Sequence, residues 1–326
     1  MRLFLLLFLT AACSASPRAP ADTHLRAVPV SQCVADAAPD LHIAFRGGLH
    51  LTWPGWDAFG GWSDLRVTQD DHWLALSDDG HWLRGTLAVT AQQLTGATGD
   101  QTGAIFGCPD KLRCDVESLT QRPDGTTWLG LESQPLVPNR ILAFAKDDPQ
   151  FARPPQEVAL APGMAAMPHN AGLEAMATLP DGSVLAIEEG AEPVPPHLRA
   201  WLWQAGSWHA LRFPATPNWR PTALAALPRN HPLGDALVLE RLWLAKQQLA
   251  GTRVRAVRLP GSGEVLAVRD VLQLAQPRCL LDNFEGLAVQ ERGGALWLWL
   301  LSDDNLRKEQ KTLLYAFELD AVSGAK

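Results

Sequence analysis

Short apolar runs separated by polar turns fill most of this chain, and one phrase built from them recurs five times. Each copy opens on a small or acidic residue, runs through an apolar stretch, breaks at a turn, resumes as an alternating apolar strand and ends on carboxylates. The copies run from Ser63 to Asp78-Asp79, Glu117 to Glu132, Glu174 to Glu188-Glu189, Thr222 to Glu240, and Glu285 to Asp303-Asp304. Their opening positions lie roughly 50 to 60 residues apart, near the ~40 to 50 of propeller blades.

The turns say what each copy builds. Gly172 to Leu179, then Pro180-Asp181-Gly182, then Val184 to Ile187 reads as strand, tight turn, strand, and Pro123-Asp124-Gly125 repeats the punctuation. Third strands follow at Arg140–Phe144, Ala200–Trp203, Arg253–Val257 and Thr312–Phe317. Antiparallel units of this kind cannot bury both faces alone, so they stack into a ring that protects sheet edges. The expected fold is all-β: a β-propeller of six blades, five visible as repeats and a sixth placed in the long N-terminal and last intervals. The C-terminal strand at Thr312–Leu319 is expected to share a blade with Leu41–Phe45 and Leu49–Trp53, closing the ring.

Composition refines this picture. With 47% hydrophobic residues, 26 Gly and 25 Pro in 326 residues, the chain suits one large turn-rich domain rather than two. Of 13 tryptophans, Trp73, Trp128, Trp201, Trp203, Trp297 and Trp299 sit in strand patterns and are read as packing between blades. Trp53, Trp56 and Trp62, clustered among glycines, are given a rim role. A formal net charge of −7 and no basic run argue against nucleic acid.

Met1-Arg2, the apolar Leu3 to Leu9 and the small residues Thr10-Ala11-Ala12 read as a secretory signal over residues 1–12. Cys13 directly afterwards resembles a lipoprotein lipidation site, with cleavage near Ala15 as the competing reading. Residues 13–27 then form a tether, 28–320 the propeller and 321–326 a tail. The expected location is the periplasmic face of a bacterial envelope, with a lipid anchor in the outer membrane as the only membrane contact, and the chain is expected to be monomeric. Four cysteines remain, Cys33, Cys108, Cys114 and Cys279, an even number that implies disulfides in an exported chain. Of three connectivities, the local Cys108 to Cys114 loop is the easiest to close. Cys33 would then pair with Cys279 and pin the N-terminal segment near the last repeat.

The innermost strand of each propeller blade lines the central channel, so equivalent repeat positions converge on one axis. Three openings are glutamates, Glu117, Glu174 and Glu285, and acids recur at the second-strand ends. Carboxylates crowded on one axis repel, a cost relieved by bound cations or by protonation. Arg140, Arg241, Asn170, Asn283, Asn305 and Lys311 stand near these acids in sequence, and arginine holds phosphate or carboxylate through two hydrogen bonds. The bland alternative is a set of ion pairs that lock blades together.

Phe59-Gly-Gly-Trp-Ser-Asp-Leu65, Leu76-Ser-Asp-Asp79, Asn170-Ala-Gly-Leu-Glu-Ala175, Val238-Leu-Glu-Arg241, Asp282-Asn-Phe-Glu-Gly-Leu287 and Leu301-Ser-Asp-Asp-Asn305 resemble the bacterial phytase-like domain family, also called esterase-like activity of phytase. The resemblance spans about residues 45 to 319. It implies an exported propeller-like protein with a phosphoesterase or esterase activity. The family's repeated Glu-Gly-Leu is replaced here by Glu117-Ser-Leu, Glu174-Ala-Met and Thr222-Ala-Leu.

Gly-x-Ser-x-Gly, His-Glu-x-x-His and phosphate-loop signatures are absent, which disfavours covalent nucleophile chemistry. The leading expectation is metal-assisted hydrolysis of a small anionic ester. Glu174, Glu285 and Asp303 are the catalytic candidates. Glu117, Glu174, Glu285 and Asp304 would hold Ca²⁺ or a similar hard cation, and Arg140, Arg241, Asn283, Asn305 and Lys311 would bind substrate. The competing reading is a non-catalytic envelope propeller that binds a ligand or a protein.

Overall fold

A computed structural model describes residues 24–135, 137–169, 172–191, 194–244 and 248–321. The expected signal segment, Cys13 and the C-terminal tail after residue 321 lie outside the described residues, as do Asn170 and Ala171 of the third repeat.

The hairpins form where the turn chemistry places them. Asp124 accepts hydrogen bonds from the Thr126 backbone N–H at 2.8 Å and its hydroxyl at 2.7 Å, and Asp181 does the same for Ser183 at 2.9 and 2.6 Å. Gly125 and Gly182 follow those aspartates with φ of 89° and 88°, a region that L side chains resist.

The strands assemble into five antiparallel sheets. Blade 1 holds β4 (Trp62–Val67), β5 (His72–Ser77), β6 (His81–Thr90), β7 (Gln93–Ala97) and β8 (Gln101–Ala104). Blade 2 holds β9 (Asp115–Gln121), β10 (Thr127–Glu132), β11 (Arg140–Phe144) and β12 (Gln156–Val158). Blade 3 holds β13 (Ala175–Thr178), β14 (Val184–Ile187), β15 (His197–Gln204) and β16 (Ser207–Pro214). Blade 4 holds β17 (Trp219–Ala226), β18 (Ala236–Leu244), β19 (Gln248–Arg258) and β20 (Ala267–Leu274), edged by β2 (Asp36–Ala37). Blade 5 runs β21 (Asn283–Arg292), β22 (Ala295–Asp303), β23 (Thr312–Ala321), then β3 (Leu41–Thr52) and β1 (Arg26–Val30).

The propeller therefore has five blades, not the six expected. The N-terminal interval supplies no sheet of its own; its strands add to the edges of blades 4 and 5, where they satisfy exposed ladder groups. The expected closure is present, with β3 pairing antiparallel to β23 from Leu51↔Thr312 to Leu41↔Ala321. Arg46 reinforces it with two hydrogen bonds to Glu318, at 2.6 and 3.1 Å. Disulfides join Cys33 to Cys279 and Cys108 to Cys114, so the first bond fixes the N-terminal segment beside the connection from blade 4 to blade 5.

Period-two alternation makes both faces of each sheet apolar, and the core divides accordingly into five layers. Trp73 and Ala75 face blade 5, packing with Trp297 and Trp299, while Leu74 and Leu76 on the same strand face blade 2 and pack with Leu119 and Leu129. Similar layers join blades 2 and 3 through Trp128, Met176 and Trp201, 3 and 4 through Ile187 and Val238, and 4 and 5 through Leu239 and Tyr315. Five layers between five sheets close a ring, and each innermost strand touches the next around it: β4, β9, β13, β17, β21 and back to β4.

Candidate functional site: an acidic cavity on the propeller axis

The repeat's opening residue owes its role to a local irregularity. In the innermost hairpins of blades 1, 2, 4 and 5 the register slips by one residue, so Ser63, Glu117, Thr222 and Glu285 have no partner on the second strand. Each is a β-bulge, which bends its strand and re-aims a side chain. In blade 3 the equivalent Glu174 immediately precedes β13. In blades 1, 2 and 5 the residue after the bulge joins neighbouring blades. Asp64 accepts N–H bonds from Leu65 and Leu119 at 2.7 Å and from Leu287, and the Ser118 hydroxyl donates to the Leu173 carbonyl at 2.9 Å. Gly286 permits the closest approach, since a Cβ there would lie 2.9 Å from the Leu65 Cβ.

Above this constriction lies a cavity of about 810 Å³. Glu117, Glu174 and Glu285 line it from the inner strands, and Asp78, Glu132, Glu189 and Asp303 from the ends of second strands. Asn283, Asn305 and Arg241 line it too, as the sequence led one to expect. Three other expected residues are placed elsewhere. Arg140 turns outward and donates to the Arg113 carbonyl at 3.1 Å. Asp304 accepts from the Gly61 and Leu306 N–H groups and the Thr312 hydroxyl, at 3.2, 3.0 and 3.1 Å, and with Lys311 it lines a separate pocket. Asp304 thus lies apart from the Glu117, Glu174 and Glu285 set with which it was grouped.

Blade 4 breaks the acidic pattern. Glu240, the second-strand carboxylate there, is fully buried and held by Arg253 and Arg255, while Arg241 and Arg220 enter the cavity instead. Arg241 bridges Glu189 at 2.8 Å, Asn283 at 2.9 Å and Glu285. Burial opposes its charge, but Glu285, Glu189 and Glu174 outweigh that and raise its pKa. Lys111, carried on the Cys108–Cys114 loop, pairs with Asp78 at 2.6 Å and Asp115 at 3.2 Å.

These cations leave part of the acid uncompensated. Glu117 and Glu174 have no ion pair or hydrogen bond to their carboxylates among the described residues. Burial, reinforced by Glu174 and Asp115, drives Glu117 well above the usual carboxylate range; burial with Glu189 and Glu132 does the same to Glu174. Asp303 rises through burial beside Glu285 and Asp78, and Glu132 is pushed up to about 7, chiefly by burial, although the Gly172 N–H donates to it at 2.7 Å.

Two trios bring carboxylate oxygens within 4.8 Å of one another: Asp115, Glu117 and Glu132, and Glu132, Glu174 and Glu189. Glu189 is held by Arg241 and Arg220 at 2.8 and 3.2 Å and Asp115 by Lys111 at 3.2 Å, but Glu117, Glu132 and Glu174 carry no ion pair among the described residues. Desolvated oxygen donors at this spacing fit a hard cation such as Ca²⁺. The expected metal residues Glu117 and Glu174 belong to these trios, and Glu285, which Arg241 and Asn283 hold, belongs to neither. Asp115, Glu132 and Glu189 complete them. Glu132 and Glu189 were visible as second-strand acids, but only the register of β9 against β10, which sets Glu132 opposite Asp115, brings Asp115 into the group.

The model of the phytase-like family, described as esterase-like activity of phytase, matches residues 57–306, from the glycine-rich approach to blade 1 to the loop after β22. The chain belongs to this family. No curated protein matches it. Among solved structures, the soluble aldose sugar dehydrogenase of Escherichia coli in its apo-form aligns with 9% identity over 86% of this chain and 99% of that one, at a TM-score of 0.42. YCF48 from Cyanidioschyzon merolae aligns with 12% identity over 90% and 99%, at a TM-score of 0.38.

Proposed function

We propose that this phytase-like propeller hydrolyses a small anionic ester in the axial cavity, with a hard divalent cation, Ca²⁺ in the first instance, as cofactor. The carrying observation is the pair of buried trios that share Glu132. Glu132, Glu174 and Glu189, with Glu117 and Asp115 alongside, would hold the cation. When bound, it would supply Lewis acidity toward an ester oxygen and toward water.

The chain's own groups supply the rest. Arg241 and Arg220 are the cations presented by blade 4, suited to orient an anionic oxygen. Glu285 fixes Arg241, and the Asn283 amide donates to Glu285 at 2.7 Å, so these two position the guanidinium. Asp303, whose pKa burial beside Glu285 and Asp78 raises, is the candidate to give a proton to a leaving oxygen, and the Asn305 N–H donates to one of its oxygens at 2.6 Å. Two disulfides support an oxidising compartment and hence export, with anchoring through Cys13 at the outer membrane as the accompanying proposal.

Purified protein assayed on 4-nitrophenyl phosphate and 4-nitrophenyl acetate, with Ca²⁺ or with chelator, tests this reading. Expected is turnover that chelator removes and that Glu132→Gln or Glu174→Gln lowers by about 100-fold or more. A Ca²⁺-dependent rise in melting temperature without turnover on either ester would favour the ligand-binding propeller instead.

A further inference from the structure

Beside the acidic cavity is a second hollow of about 350 Å³ with the opposite chemistry. Its floor is aromatic. Trp53 and Trp56 meet edge to face at 5.5 Å and Trp56 meets Phe59 at 5.9 Å; all three are half-buried and line the hollow. Trp62, the third tryptophan of this sequence cluster, is buried beneath and braces both Trp56 and Phe59, at 5.9 and 5.4 Å. The platform is thus rigid, with ring surface left uncovered.

Its wall is basic. Arg307, Lys308 and Lys311 line it from the loop between β22 and β23, and among the described residues none of the three side chains makes an ion pair. Among the described residues the one acid on the lining, Asp304, is occupied by two backbone N–H groups and a hydroxyl. Burial and the nearby Lys311 both lower the pKa of His50, which also lines the hollow. Cations without ion pairs that share a hollow with partly uncovered aromatic rings suit a flat ring that carries negative charge, because stacking and charge-assisted hydrogen bonds act on the same molecule. The axial cavity, free of divalent cation, would repel such a ligand.

We infer that this aromatic-basic hollow is a second ligand site, for a small planar aromatic molecule bearing a phosphate or carboxylate. It does not depend on hydrolysis at the axis, although Arg307 and Gln310 line both spaces and an occupant would lie beside the axial cavity.

Calorimetric titration of the protein with 1-naphthyl phosphate in chelator tests it, with inorganic phosphate, 1-naphthol and 1-naphthoate as further probes. Expected is quenching of tryptophan fluorescence, and binding of naphthyl phosphate at least tenfold tighter than of inorganic phosphate or naphthol. The double variant Lys308→Ala with Lys311→Ala should lose about tenfold in affinity, and Trp53→Leu a similar factor, while Glu132→Gln changes nothing. Comparison with naphthoate separates phosphate from carboxylate preference. Equal affinity for inorganic phosphate, loss on Glu132→Gln in place of the lysine changes, or no binding at millimolar probe overturns the site. Since no divalent cation or turnover enters the measurement, failure here leaves the axial proposal standing, and the reverse.

Discussion

Blades 2 and 4 each carry a buried glutamate near the end of the second strand, one residue out of step, and treat it in opposite ways. Glu132 pairs with Asp115, two residues before the bulge, whereas Glu240 pairs with Pro221, one before it, and Arg241 takes the place of Glu132. Glu240 is 0% exposed and receives four hydrogen bonds from Arg253 and Arg255, between 2.5 and 3.1 Å, whose guanidinium planes also stack over Trp219 and Phe213. Glu132 is 3% exposed and, among the described residues, receives only the Gly172 N–H. The first is a completed ion network that holds β18 to β19. The second is an acid left short of positive charge, beside others in the same state. Nature of the residue does not separate structure from function here; what separates them is whether the fold brings a cation to the carboxylate.

The largest expected effect attacks the completed network. Glu240→Gln leaves the buried Arg255 and the largely buried Arg253 without their anion and should destabilise the protein by about 3 to 5 kcal/mol in urea unfolding. Glu132→Gln, measured in chelator, should leave stability unchanged or raise it, because it removes a repelling charge. Equal losses in the two variants would erase the contrast.

Next comes the cation itself. At one hundred times its dissociation constant, Ca²⁺ should stabilise the folded protein by about 2.7 kcal/mol, visible as a higher melting temperature. Glu132→Gln should remove most of that gain, since both trios share the residue, whereas Glu240→Gln should keep it. A gain that survives Glu132→Gln moves the cation elsewhere.

Acidity gives a third measure. Glu117, Glu132, Glu174 and Asp303 have pKa values raised by folding, so between their unfolded and folded values the native state binds more protons. Stability then falls as pH rises through that window. In chelator the melting temperature should climb as pH drops from 8 toward 5, by roughly 1 to 3 kcal/mol in stability. Saturating Ca²⁺ should flatten the dependence, because protons and the cation compete for the same oxygens. An unchanged melting point across this range would mean that the cavity acids are compensated after all.

The smallest expected effect is a control. Arg140→Ala, outside the cavity, should alter stability by about 0.5 kcal/mol or less and leave ester turnover unchanged.

Much of this was legible in the chain. Proline-aspartate-glycine turns, period-two apolar runs and the recurrence of one phrase dictate stacked hairpins, since such strands have no other way to cover both faces. Closure by the two chain ends could be read from unpaired strand patterns at Leu41–Trp53 and Thr312–Leu319. The acids at repeat openings also pointed to the axis, because equivalent positions of a ring must converge. Blade number was not legible: β1, β2 and β3 look like material for another sheet, and only hydrogen bonding assigns them to the edges of blades 4 and 5.

The sequence by itself determined the strand alternation, the turns and the repetition of carboxylates, all of them local properties that backbone sterics and hydrophobic periodicity impose. Tertiary structure alone decided which acids share a hollow, which receive an arginine and which loop cation joins which space. Neutralisation acts over a few ångströms between residues far apart in the chain, so Glu132 and Glu240 read alike until folding gives one of them Arg253 and Arg255 and the other a set of fellow acids.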